Sequence, residues 1–150
     1  MNKISTLLCL SLFGLLSACG DKQNANLSTQ LQGKSFVIES WGCEGTAAPL
    51  NNSTSLRYYL SFTDTEIVTL SENIGTASNG GRNEIDRENV TYLADNSIAI
   101  ITNQGEMHMT VSDQNGKYLL KSVEAGSSVG CSSNQKAQIV LVKGTAFHGL

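Results

Sequence analysis

Residues 89–123 read NVTYLADNSIAIITNQGEMHMTVSDQNGKYLLKSV. Four short runs rich in apolar and β-branched residues are separated by Asp95-Asn96, by Asn103-Gln104-Gly105 and by Asp113-Gln114-Asn115-Gly116. Asn, Asp and Gly tolerate positive φ or bond their own backbone, so each interruption predicts a tight reversal between antiparallel strands. The strands are expected at 89–94, 97–102, 106–112 and 117–123. None of the runs shows a convincing helical period.

The same grammar continues outward. Upstream, strands are expected at 35–41, 55–62 and 66–71, the last two joined through Thr63-Asp64-Thr65; downstream, a final strand is expected at 137–143. In the 55–62 segment Tyr58, Leu60 and Phe62 alternate with Arg57, Tyr59 and Ser61, the pattern of a half-buried strand. Residues 72–88, containing Asn79-Gly80-Gly81, lack such alternation and are expected to form a long loop, or a loop with one more short strand. Eight strands on short links pair with their neighbours along the chain. The fold class that follows is all-β, an antiparallel up-and-down barrel or barrel-like sheet of about eight strands over residues 31–150.

Composition supports a folded core and narrows the function. Apolar residues make up 40% and charged residues 15% of the 150-residue chain, the reverse of a disordered composition. Net charge is −3, and no run of Lys or Arg occurs. Nucleic acid binding needs clustered cations to displace counterions from phosphate, so that class is set aside.

The N-terminus reads as a targeting segment. Met1-Asn2-Lys3 gives a positive start, and residues 4–16 are mostly apolar. That stretch is short for a bilayer span, which takes about 20 residues, and suits a removable signal peptide over residues 1–18. Leu16-Ser17-Ala18-Cys19 resembles the lipobox of bacterial lipoproteins. The resemblance implies cleavage before Cys19, a diacylglycerol thioether on its sulfur and acylation of the new amine. Two or three chains hold a protein firmly, at about 0.8 kcal/mol per buried methylene. Gly20 after the Cys resembles cargo sent to the outer membrane, so a membrane-tethered envelope protein is expected. Residues 19–30 are polar and aperiodic after Cys19 and read as a flexible tether.

An envelope compartment lets Cys43 and Cys131 pair. Cys43 follows the first expected strand and Cys131 precedes the last. In an eight-stranded up-and-down barrel those points fall at one end, so a disulfide between them agrees with closure. The opening Leu31-Gln32-Gly33-Lys34-Ser35-Phe36 resembles the Leu-x-Gly-x-Trp start of the lipocalin-like group, with Ser35 in place of the Trp and the aromatic one residue later.

Several motifs touch on chemistry. Gly126-Ser127-Ser128-Val129-Gly130 matches the G-x-S-x-G elbow, but no Asp or Glu follows Glu124 and the next segment is a strand, so a hydrolase triad is not expected. Met107-His108-Met109 offers soft ligands for Cu(I); in a strand the methionines share one face and His108 takes the other. Glu84, Asp86 and Glu88 with Arg82 and Arg87 read as a solvated mixed-charge loop rather than a calcium loop. Trp41, Tyr58, Tyr92 and Tyr118 are candidates to line a barrel mouth.

The expectation is a non-enzymatic envelope binding module without a cofactor, taking a small hydrophobic ligand or a protein partner. Two alternatives remain: an interaction protein resembling the lipid-anchored lysozyme inhibitors, and a copper carrier using Met107, His108 and Met109.

Overall fold

Runs that alternate in polarity and are broken by Asn, Asp and Gly give strands, and their order gives the architecture. The computed structural model describes residues 26–50, 56–74, 82–126 and 130–148. A short helix α1 (Leu27–Leu31) precedes nine strands: β1 (Lys34–Cys43), β2 (Ala48–Pro49), β3 (Leu56–Phe62), β4 (Glu66–Asn73), β5 (Arg82–Tyr92), β6 (Ser97–Thr102), β7 (Gly105–Gln114), β8 (Lys117–Ser122) and β9 (Ala137–His148). Every pairing is antiparallel. The order runs from β1 through β3 to β9, and β1–β9 pairing closes an eight-stranded barrel. Strand β2 is extra, a two-residue return that pairs with Ser40 and Trp41 of β1. The predicted turns hold: Asn115 and Gly116 both have positive φ (44° and 86°) between the paired Gln114 and Lys117, the geometry of a type I′ hairpin.

One difference from the sequence expectation matters for function. Residues 82–88, expected within a long loop or a loop with one more short strand, are the first half of the long strand β5, paired with Ile67–Glu72 of β4. Strand β6 pairs only with Asn89–Tyr92, so this half of β5 rises beyond the β6–β7 turn.

The two ends of the barrel differ. At one end lie the turns at 63–65, 93–96 and 115–116, and here α1 acts as a plug. Leu31 is fully buried, and Leu27 packs against the main core cluster. The Asn26 side chain caps the helix by accepting from the Ser28 N–H, and its amide donates to the Leu93 carbonyl. The Leu27 N–H donates to the Asn96 side-chain oxygen at 2.7 Å, and the Ser28 hydroxyl donates to the Leu93 carbonyl at 3.0 Å. Residues 26–30, expected to belong to the tether, are therefore built into the barrel: a five-residue helix carries too little periodicity to be seen in sequence, and tertiary contacts hold it.

Above the plug, Phe36 meets Phe62 and Tyr118 edge to face, with ring centroids 6.1 and 5.6 Å apart. Ile38, Ile98, Met109, Leu120 and Leu141 complete a filled interior. A second, smaller cluster of Val37, Tyr59, Val68 and Leu70 lies on the outer face of β1, β3 and β4, with the Arg82 guanidinium 4.6 Å from the Tyr59 ring centroid.

At the opposite end, Cys43 and Cys131 form a disulfide with Cα atoms 5.5 Å apart. Cys43 is the last residue of β1 and pairs with Ala137 at the start of β9. The bond therefore ties the end of β1 to the segment leading into β9, the strand whose pairing with β1 closes the barrel, as the strand count predicts.

Candidate functional site

The interior packing stops short of the disulfide end, and a cavity of about 270 Å3 opens there. Its apolar wall comes from alternate positions of five strands: Leu60 of β3, Ile67 of β4, Ile100 of β6, Met107 of β7 and Ile139 of β9. Trp41 of β1 stands at the rim and is 40% exposed. Thr69, Thr102, Asn103 and Gln104 add polar edges.

Two carboxylates complete the lining, Asp86 and Glu88. Register puts them there. Residues directly opposite in an antiparallel pair share a face; Glu88 is opposite Ile67, and Asp86 is opposite Thr69, both of which line the cavity. A register shift between Thr69 and Leu70 then turns Glu84 outward, opposite Leu70. Glu84 pairs with Arg87 at 2.8 Å, and Arg87 also reaches Glu66. Its guanidinium hydrogen bond holds the Glu84 carboxyl below the usual carboxylate range. Glu88 has the opposite environment: burial, then the nearby Asp86 charge, pushes its carboxyl up. Among the described residues no Lys, Arg or His lines the cavity.

The sequence-derived candidates divide between the two ends. Trp41 lines the mouth, as expected. Tyr58 lies in the half of β3 nearest the disulfide end and packs against the core without lining the cavity. Tyr92 and Tyr118 sit at the plugged end. The Tyr92 hydroxyl donates to the Thr63 carbonyl at 2.6 Å, and the Tyr118 hydroxyl donates to the Gln30 side chain at 3.1 Å. These two tyrosines are structural, because β5 ends and β8 begins at the plug. Burial, aided by Asp64, pushes the Tyr92 phenol well above its ordinary value, so it stays a neutral hydrogen-bond donor.

Met107, His108 and Met109 do not converge. Met109 is buried in the core and Met107 borders the cavity. His108 points outward and bonds Glu106 at 2.6 Å. No group of three His, Cys, Asp or Glu residues able to hold a metal occurs among the described residues. Cys19 and Ser127 to Val129 of the G-x-S-x-G match lie outside the described residues.

No protein family, characterised protein or solved structure matches this chain. The site must be read from its own geometry. Asp86 and Glu88 are the residues that sequence reading placed in a solvated loop; their i, i+2 spacing, which puts both on one face of a strand, was the available signal.

Proposed function

We propose that this protein is a lipid-anchored envelope protein whose barrel binds a small, largely apolar ligand in its open mouth, without catalysing a reaction on it. The observation that carries this reading is the unequal filling of the barrel. One end is plugged by α1 and packed with aromatic rings; the other keeps a cavity whose wall is five apolar side chains. Eight-stranded barrels are narrow enough to be filled completely by side chains or to hold one small ligand. A cavity left open beside a filled half fits the second use. Its 270 Å3 lies just below the roughly 300–1,000 Å3 of sites for drug-sized molecules, which favours a smaller occupant.

Trp41 is the only tryptophan in the chain, so its emission reports on the mouth alone. Titration with n-hexanol should shift Trp41 emission to the blue with saturation, and Ile100→Arg, which places a cation and bulk in the wall, should abolish the response. An unresponsive Trp41 in the folded protein would remove the basis for a ligand site. The anchor has its own test: intact mass of the membrane-extracted protein should show Cys19 as first residue carrying fatty chains, and an unmodified sulfur there would end the envelope assignment.

A further inference from the structure

The mouth is apolar in its wall but not neutral. On the outer surface several charges are paired: Lys121 bonds Glu44 at 2.6 Å, Lys117 bonds Glu39 at 2.7 Å, and Arg87 holds Glu84 and Glu66. In the lining, the exposed Asp86, whose carboxylate accepts the Arg87 N–H at 2.9 Å, and the half-buried Glu88 stand two residues apart on one strand with no cation among the described lining residues. A carboxylate beside an apolar wall loses part of its hydration, and a second carboxylate nearby repels it.

That charge selects the occupant. An anion would add a third negative charge to a partly desolvated site. A neutral apolar molecule would cover the wall but press the carboxylates further from water without compensation. A cation held by the two carboxylates relieves both costs.

We propose that the mouth binds a small amine: a primary ammonium group held by Asp86 and Glu88, on a short apolar body lying against Leu60, Ile67, Ile100 and Ile139. This rests on the reading of the mouth as a ligand site and specifies the ligand's chemistry. An apolar cavity of about 150 Å3 holds a benzene ring, so 270 Å3 suits a ring with a short arm or a chain of about six carbons.

Calorimetry on the purified full chain in its disulfide-bonded form, with three probes of equal length, tests the proposal. At pH 7 n-hexylamine should bind at least about tenfold more tightly than n-hexanol, since one charge-assisted hydrogen bond is enough for that ratio. Hexanoate should bind most weakly. In the Asp86→Asn/Glu88→Gln variant the amine should fall to the affinity of the alcohol, while unchanged hexanol binding shows that the variant is folded. Added NaCl should weaken only the amine. Equal affinity for amine and alcohol, or an amine affinity that survives the double substitution, overturns the assignment of a cationic ligand and leaves the apolar mouth standing. Failure of all three probes to bind overturns the mouth itself.

Discussion

Replacing both Cys43 and Cys131 with alanine removes a cross-link between residues 88 apart in sequence. In the chain-entropy treatment, opening a loop of that length restores about 4 to 5 kcal/mol of disorder to the unfolded chain at 25 °C. The folded side loses little, because β1 and β9 stay paired from Val37–Val142 to Cys43–Ala137 without the sulfur bond. The whole effect should therefore appear in the unfolded state. A small domain has about 5–15 kcal/mol of net stability, so the double variant should fold but with a large fraction of its margin gone. Urea unfolding followed by far-UV circular dichroism gives the measurement. Three outcomes are expected together: a loss of about 4 kcal/mol, an unchanged native spectrum, and a steeper denaturant dependence, because the uncross-linked chain exposes more surface. A loss below about 1 kcal/mol would refute the loop-entropy reasoning. A changed native spectrum would show instead that the bond shapes the folded barrel.

Three further outcomes follow from single contacts. Because Glu88 has a raised pKa in the fold, the native state binds its proton more tightly than the unfolded chain does, and stability falls as pH rises through the carboxylate range; Glu88→Gln should raise Tm at pH 7 and the gain should vanish near pH 3, whereas a gain that persists at low pH contradicts the assignment. Ser35 and Ser61, opposite each other on β1 and β3, share a buried hydroxyl–hydroxyl bond of 2.6 Å. Either Ser→Ala change alone should cost about 1–2 kcal/mol by stranding the other hydroxyl, and the double variant should cost clearly less than the two losses added, measured as a urea cycle. Asn96 combines a positive φ of 61° with the bond to the Leu27 N–H, so Asn96→Ala should lower stability by about 1–2 kcal/mol and loosen the plug, read as faster amide exchange at residues 27–31.

The strands that were legible in the sequence are those with one wet and one dry face. Tyr58, Leu60 and Phe62 announce β3 because their neighbours face outward, and Asp95-Asn96 and Asn115-Gly116 announce their hairpins by chemistry alone. The first half of β5 was illegible for the same physical reason that makes it functional. Its inner face meets the open mouth and its outer face meets solvent, so Arg82, Glu84, Asp86, Arg87 and Glu88 show no apolar alternation. Helix α1 was hidden by brevity; its stability comes from Leu93 and Asn96, nearly seventy residues away. The tyrosines could have been sorted. In an up-and-down barrel β5 runs toward the plug and β8 runs away from it, which sends Tyr92 and Tyr118 to the same end and away from Trp41.

The plug also gives the molecule a direction. Asn26 is fixed beneath the barrel, opposite the disulfide and the cavity. If Cys19 carries the proposed lipid, seven residues can span at most about 25 Å, which keeps the bilayer on the side of Asn26 and the sealed floor. The vestibule would then look outward into the aqueous compartment, so its guests would be captured from solution and not drawn sideways out of the lipid.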